Sequence, residues 1–264
     1  MNPTRLIFAS LVAMVMAVPA LAAENAAPVS ASQLASQLSA LRQDGSSYVR
    51  LRMEIKGGKA ETLQLQIKQR LTRGSSEVMY QVLFPKERKG ESVLLKRSAK
   101  GGASGASFTP PNSMRQISDL KEPLFGSDLS YEDVIDNFYG WPQQAIVGTE
   151  EVEGVNCQVL ESKPGKGDRS SYGSVKSWVD MRRMVPLRVE KYSESGKLVH
   201  RIDTTRVVSD AGHSIPANLS VRGPHENSTT LLDGSRIRHD VNFTDADLSA
   251  EGMKTIAIPH GAAE

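Results

Sequence analysis

The stretch from Tyr172 to Ile202 predicts three antiparallel strands joined by two tight turns. Apolar and polar residues alternate one by one along it, which is typical of a sheet with one buried face and one solvated face. We expect Gly196 to supply the positive φ that the second turn needs. Similar alternation precedes and follows this stretch, so most of the chain is predicted to form one long antiparallel meander of roughly ten or eleven strands.

Two short helices are predicted beside these strands. Residues 30–42 place three leucines on one helical face and serine and glutamine on the other. Ser130 with Asp133 three residues later is close to a capping box, and it predicts a helix from Tyr131 to Phe138. Each helix has an apolar side, so each is expected to cover part of the apolar face of the sheet. The class is therefore mainly β, with α+β character.

Residues 1–22 have the features of a secretory signal peptide. Arg5 is a short positive region, residues 6–18 are apolar, and Ala20-Leu21-Ala22 supplies the small residues of a cleavage motif. The apolar stretch is shorter than the about 20 residues of a transmembrane helix, and an uncleaved anchor is the alternative. We therefore expect one domain, residues 23–264, outside the cytoplasm.

Charged residues are segregated along the chain, although the formal net charge is only +2. Residues 50–121 contain 15 basic and 6 acidic residues, whereas residues 122–161 contain 9 acidic residues and no basic ones. A split of this kind suggests charged docking surfaces. The alternative is that the two segments neutralise each other when the sheet forms.

The sequence contains no recognisable enzyme motif. The five histidines have neither the spacing nor the neighbours of a zinc site, and phosphate-loop, dinucleotide and nucleic-acid signatures are missing. We interpret His200 and Cys157 as buried structural residues. An acidic cluster near the second predicted helix is interpreted as complementing its N-terminus rather than as catalytic. Its members are Asp128, Glu132, Asp133 and Asp136. A non-enzymatic protein without metal or cofactor is predicted.

Three motifs resemble the outer-membrane lipoprotein-sorting family. Residues 126–134 are similar to its GSD-aromatic-SYEDL block, residues 178–180 to its WVD motif, and residues 186–188 to its PL-K/R motif. Tyr192 with Gly196-Lys197 is similar to its Y-D-x-x-G-K turn. The resemblance runs from about Tyr80 to Ile258, and it is closest to the LolA-like periplasmic proteins that are often associated with RND/MMPL-type exporters.

Two family features are absent from this sequence. The aromatic-rich stretch before the family's first helix is reduced to Phe108 and two prolines, and the terminal tyrosine motif is replaced by residues 250–261. We therefore do not expect the cargo of this chain to follow that of better-matched members.

The resemblance implies an unclosed antiparallel half-barrel whose short helices lie across its concave face. It further implies a monomeric periplasmic carrier that holds a lipid or lipoprotein acyl chain in a hydrophobic cavity between the inner membrane and an acceptor. The alternatives are an ordinary filled core, and a cargo-free docking module of an inner-membrane RND/MMPL-type transporter. The candidate lipid-binding residues are Leu51, Met53, Leu63, Leu65, Tyr80, Val82, Val134, Phe138, Val179, Leu187 and Val189.

Overall fold

In a computed structural model, the described residues are 29–42, 45–72, 75–98, 102–210, 212–223 and 227–258. They form three short helices and thirteen strands, together with 3₁₀ turns at 124–126 and 138–140. The predicted signal peptide lies outside the described residues. The helices are α1 (Ala31–Arg42), α2 (Tyr131–Ile135) and α3 (Ala250–Lys254). The strands are β1 (Ser47–Lys56), β2 (Glu61–Thr72), β3 (Ser75–Phe84), β4 (Ser92–Ser98), β5 (Ala103–Thr109), β6 (Ser113–Ile117), β7 (Gln143–Val152), β8 (Val155–Lys163), β9 (Ser174–Asp180), β10 (Val185–Tyr192), β11 (Leu198–Asp210), β12 (His213–Arg222) and β13 (Thr229–His239).

All thirteen strands belong to one antiparallel sheet in the order β6-β5-β4-β3-β2-β1-β13-β12-β11-β10-β9-β8-β7. The sheet is unclosed, so β6 and β7 form its two edges although they are consecutive in the chain. Two meanders, β1–β6 and β7–β13, meet where β1 pairs with β13. The predicted half-barrel class is confirmed, and the predicted meander from β9 to β11 is present with Gly196 at φ +77°.

The strand count exceeds the expected ten or eleven chiefly because of one hairpin. The glycine-rich residues 98–107 predict a loop tip and residues 108–117 an edge or an extended crossover, whereas β5 and β6 pair with each other and β6 is an edge strand. Pro110 and Pro111 lie in the turn of this hairpin, where the missing N–H groups remove no ladder hydrogen bond.

The two faces of the sheet have different covers. We call the face contacted by α2 and by the connection between β6 and β7 the inner face, and the opposite one the outer face. The segment 241–258 packs on the outer face, where Met253 and Leu248 join Met79, Leu94 and Phe108. The sequence of residues 247–259 predicts a terminal strand or lid edge, but Ser249 caps the short helix α3 by accepting a hydrogen bond from the Gly252 amide at 3.1 Å.

Candidate functional site

The first apolar cluster of the inner face lies on β1, β2 and β3. Leu51 pairs across the strands with Leu65, and Met53 pairs with Leu63. Alternation gives all of these side chains the same face, and the next strand adds Tyr80 and Val82. Val134 of α2 packs against the cluster from above. The structure therefore brings together seven of the predicted lipid-binding residues: Leu51, Met53, Leu63, Leu65, Tyr80, Val82 and Val134.

The second apolar cluster lies farther along the same face, under α1. Three more of the candidate lipid-binding residues belong to it: Phe138, Val179 and Val189. Leu34 and Leu38 of α1 complete it, which confirms the predicted apolar side of this helix. Ile202 packs against both clusters, so the apolar surface is continuous across the inner face.

Leu187 departs from the prediction, because it lies on the outer face. Pro186 pairs with Val179 and Arg188 pairs with Trp178, which leaves Leu187 as the extra residue of a β-bulge. An extra residue shifts the alternation by one, and Leu187 packs with Trp178 and Cys157 in a separate cluster. Cys157 is fully buried there, as expected.

The inner face is covered by the connection between the two edge strands, residues 118–142, and by α1 over the second cluster. We call residues 118–142 the crossing segment. It begins beside β6, where Arg115 pairs with Glu122 at 2.7 Å, and it ends at β7 on the opposite edge. Leu124 and Leu129 are buried in the first cluster, and Phe138 is buried in the second. Because the sheet does not close, this one segment spans both clusters.

Helix α2 begins with the predicted capping box. The Asp133 amide donates to Ser130 Oγ at 3.1 Å, and the Ser130 amide donates to Asp133 Oδ2 at 2.7 Å. The helix ends at Ile135, earlier than predicted, and a separate 3₁₀ turn carries Phe138. A single helical turn has little stability of its own, so tertiary contacts must hold it.

The central contact of the crossing segment is the buried carboxylate of Asp133. Its Oδ1 accepts from Lys191 Nζ at 2.7 Å and from the Tyr172 hydroxyl at 2.7 Å. Its Oδ2 lies 2.6 Å from His200 Nδ1. The Lys191 ammonium also lies over the rings of Tyr172 and Phe138, at 5.0 and 5.4 Å. One capping residue thus joins α2 to β10, β11 and the residues before β9.

Burial and charge act in opposite directions on this network. Burial by itself would raise the pKa of Asp133, but the Lys191 ammonium and the His200 ring outweigh it and hold that pKa well below its ordinary value. Burial, reinforced by the neighbouring Asp133 carboxylate, raises the pKa of Tyr172. Asp133 is therefore an anion, and Tyr172 is a neutral donor to it.

Three further acidic residues attach the crossing segment to its surroundings. Asp128 accepts from the Thr230 hydroxyl at 2.8 Å and from the Ser228 hydroxyl at 3.0 Å. Asp136 pairs with Arg97 of β4. Glu132 accepts from Ser170 Oγ at 2.7 Å and from the Ser171 amide at 2.9 Å. The predicted role of the acidic cluster as helix caps was thus incomplete, because all four of its members tie this segment to the rest of the fold.

The crossing segment also contains polar atoms that are buried without a protein partner. Within the described part of the chain, Asp128 Oδ1, Asn137 Oδ1 and Trp141 Nε1 have no hydrogen-bond partner. Each such atom costs about 1–3 kcal/mol of desolvation. The covering position of this segment is consequently less stable than its apolar contacts alone would make it.

The sequence reasoning missed Lys191 and Tyr172. Lys191 continues the buried alternation of Val185, Leu187 and Val189 along β10, and this was the available signal. A lysine at the end of an apolar alternation indicates a buried charge that needs a partner. The partner could not be read from the chain, since Asp133 lies 58 residues away.

Two further findings concern the described residues as a whole. None of their helices is long and apolar enough to cross a membrane. No group of three His, Cys, Asp or Glu side chains among them is arranged to hold a metal ion.

Three solved bacterial structures are similar to this chain over most of its length. A DUF1329 family protein from Desulfovibrio piger is 24% identical with a TM-score of 0.78, covering 84% of this chain and 97% of its own. A domain assigned to the outer membrane lipoprotein-sorting proteins, from Vibrio parahaemolyticus, is 19% identical with a TM-score of 0.76, covering 85% and 98%. A LolA superfamily protein from Nitrosomonas europaea is 20% identical with a TM-score of 0.69, covering 85% and 99%.

Comparison at the level of sequence is less specific. None of the curated proteins matches this chain. A family model described as an uncharacterized protein matches residues 74–255, which include the crossing segment and its contacts on β10 and β11. The chain therefore belongs to that family, and its fold is that of the LolA-like, outer-membrane lipoprotein-sorting proteins.

Proposed function

We propose that this protein is a non-enzymatic periplasmic carrier that binds the acyl chain of a lipid or lipoprotein on the inner face of its sheet. The observation that carries the proposal is the cover of that face, which is the crossing segment rather than a second sheet. Displacing this segment would expose the first apolar cluster and the part of the second that α1 does not cover, and Ile202 makes the two clusters continuous. The cargo would pass from the inner membrane to an acceptor.

The free energy gained by burying an acyl chain must offset the free energy lost when the crossing segment leaves the inner face. Each buried CH₂ of an acyl chain contributes about 0.8 kcal/mol, so a few methylenes supply several kcal/mol. Against this stand the contacts that hold the crossing segment, above all those of Asp133 with Lys191 and His200. The unpartnered Asp128, Asn137 and Trp141 atoms lower the cost of moving the segment, because water can reach them once it moves.

A reversible disulfide tests whether this movement is required. A Cβ built on Gly223 would lie 3.1 Å from Cβ of Asp128, slightly closer than the about 3.5–4.5 Å of a disulfide. We would therefore introduce Asp128→Cys and Gly223→Cys in a Cys157→Ser background of the mature chain. The oxidised protein is locked, whereas the reduced protein is its own control for the two substitutions.

The readout is native mass spectrometry after incubation with vesicles of phosphatidylethanolamine and phosphatidylglycerol that carry an acylated peptide. We expect a stoichiometric lipid mass on the reduced protein and none on the oxidised protein. Equal loading of both forms would show that the crossing segment need not move. No loading of either form, or of the unmodified protein, would contradict the carrier.

A cargo-free docking module of an RND/MMPL-type exporter is the second candidate. The observation in its favour is the filled inner face, since Met53, Leu63 and Leu65 are at most 1% exposed. It predicts that charge reversal at Arg50 and Arg52 abolishes complex formation with the transporter, whereas Leu51→Glu does not. The carrier predicts that Leu51→Glu impairs lipid retention.

A further inference from the structure

The two edges of the open sheet are protected very differently. The edge strand β6 has five residues, and it follows the Pro110-Pro111 turn. Its Arg115 forms two hydrogen bonds with Glu122, at 3.0 and 2.7 Å. Short length, proline and charge are the usual protections of an edge strand against pairing with another chain. The β6 edge is therefore protected against pairing with a strand of another chain.

The other edge strand, β7, lacks most of these protections. It is ten residues long and contains no proline, lysine or arginine. Ile146 and Val147 are 37% and 50% exposed at its centre. Among the described residues, its backbone pairs only with β8, and the bulge between Ile146 and Gly148 is its single irregularity. A long strand of this kind offers a row of main-chain donors and acceptors to a further strand.

Exposed acidic residues near β7 indicate which side chains a partner strand would carry. Glu150 and Glu151 near its end are exposed, and so is Glu153 in the following turn. The segment 122–161 contains no basic residue, and its other acidic side chains near the crossing segment are paired or buried. Within the described ranges, Glu150 alone of these three accepts a side-chain hydrogen bond, from Trp178 Nε1 at 2.8 Å. An incoming strand is therefore favoured when it carries basic side chains.

We propose that β7 is a docking edge for an extended, basic segment of a partner protein, which adds to the sheet as one more strand. Alternate residues of β7 turn their N–H and C=O groups away from β8, so roughly five residues can pair with the partner. Apolar side chains of the partner would lie beside Ile146 and Val147, and basic ones near Glu151 and Glu153. This surface is the outer edge of the sheet, and the proposal needs no bound lipid.

The test uses a synthetic peptide that alternates valine with threonine and lysine. Amide hydrogen exchange and NMR shifts of the mature protein are measured with and without it. We expect the outward amides of β7 to exchange at least tenfold more slowly at saturation, with β6 unchanged. A peptide methylated at alternate amides cannot donate the ladder hydrogen bonds, and one with glutamate in place of lysine repels the acidic end. Both should bind at least tenfold more weakly.

A matched pair of variants completes the design. Val147→Lys places a charge on the edge and should weaken peptide binding at least tenfold, whereas Leu198→Lys changes a similarly exposed residue of β11 and should not. Any of three results would overturn the proposal. The first is no protection of β7 at millimolar peptide. The second is protection of the β7 amides already in the free monomer. The third is a dimer, seen by ultracentrifugation, that Val147→Lys dissociates, because the edge would then pair with a second copy.

Discussion

Asp133 of α2 and Lys191 of β10 form an ion pair of 2.7 Å between side chains that are 0% and 1% exposed. Two opposite charges buried at this depth stabilise a fold only together, because removing either one leaves the other unpaired and desolvated. The pair joins the crossing segment to the sheet at the boundary between the two apolar clusters. The stability of the cover and the stability of the fold are therefore coupled at these two residues.

Replacing one member of this pair should be strongly destabilising. We expect Asp133→Asn and Lys191→Met each to lower the free energy of unfolding by about 3–5 kcal/mol. The double variant should lose less than the sum of the two, since it leaves no unpaired charge. Urea unfolding of the four proteins measures this coupling. Strictly additive losses would show that the two charges do not stabilise each other.

The same carboxylate predicts an acid-dependent loss of stability. The pKa of Asp133 is depressed in the folded state, so its contribution is present above the unfolded value of about 3.9 and is lost as the pH falls below it. We therefore expect the stability difference between the wild type and Asp133→Asn to be constant near neutral pH and to shrink below about pH 4. Urea midpoints across a pH series measure it. A difference that grows on acidification would contradict the assigned sign.

Replacing Lys68 should have the opposite effect on stability from replacing Lys191. It is 1% exposed on the outer face, and burial lowers its pKa despite the opposing effect of Asp247. The charge of Lys68 is therefore a net cost to the fold near neutral pH. We expect Lys68→Met to leave stability unchanged or to raise it by about 1 kcal/mol. Thermal unfolding at neutral pH tests this, and a loss comparable to that of Lys191→Met would contradict it.

Two adjacent glycines of the β1–β2 turn provide a matched pair. Both have positive φ, but a Cβ on Gly57 would lie 2.1 Å from the carbonyl oxygen of Asn227, whereas one on Gly58 would have no atom within 4 Å. We expect Gly58→Ala to cost about 1 kcal/mol for the backbone conformation alone. Gly57→Ala should cost at least about 2 kcal/mol more, because the two turns must separate. Equal losses in denaturant unfolding would show that the turns are not in contact.

The candidate lipid-binding residues differ in what their substitution can test. Leu51 is only partly buried, so Leu51→Glu should reduce lipid retention at least tenfold with a modest loss of stability. Leu65 is 1% exposed, and a glutamate there should unfold the protein rather than report on lipid. Leu198→Glu on β11 is the control for an added surface charge. Full lipid retention by a folded Leu51→Glu variant would exclude Leu51 from the binding surface.

Several local features were predictable because neighbours in the chain decide them. The alternation of β1 and β2 placed Leu51, Met53 and Leu63 on one face. The capping box at Ser130 and Asp133 requires residues only three positions apart. The hairpin of β5 and β6 was not predicted, since glycine, alanine and serine carry little apolar alternation. The two oppositely charged segments neutralise each other only in part, because among the described residues two ion pairs, Arg97–Asp136 and Arg115–Glu122, are seen to join them.

The sequence by itself determined that this chain forms a long antiparallel meander with one apolar face and short amphipathic helices, because a period of two or of 3.6 residues is set by the backbone. Only the tertiary structure decided which residues meet. The β-bulge of β10 turned Leu187 to the outer face, since its register depends on β9. The crossing segment spans both clusters because β6 and β7 lie at opposite edges. The path of the crossing segment brought Asp133 to Lys191. A contact between residues 58 positions apart cannot be read from the periodicity of the sequence.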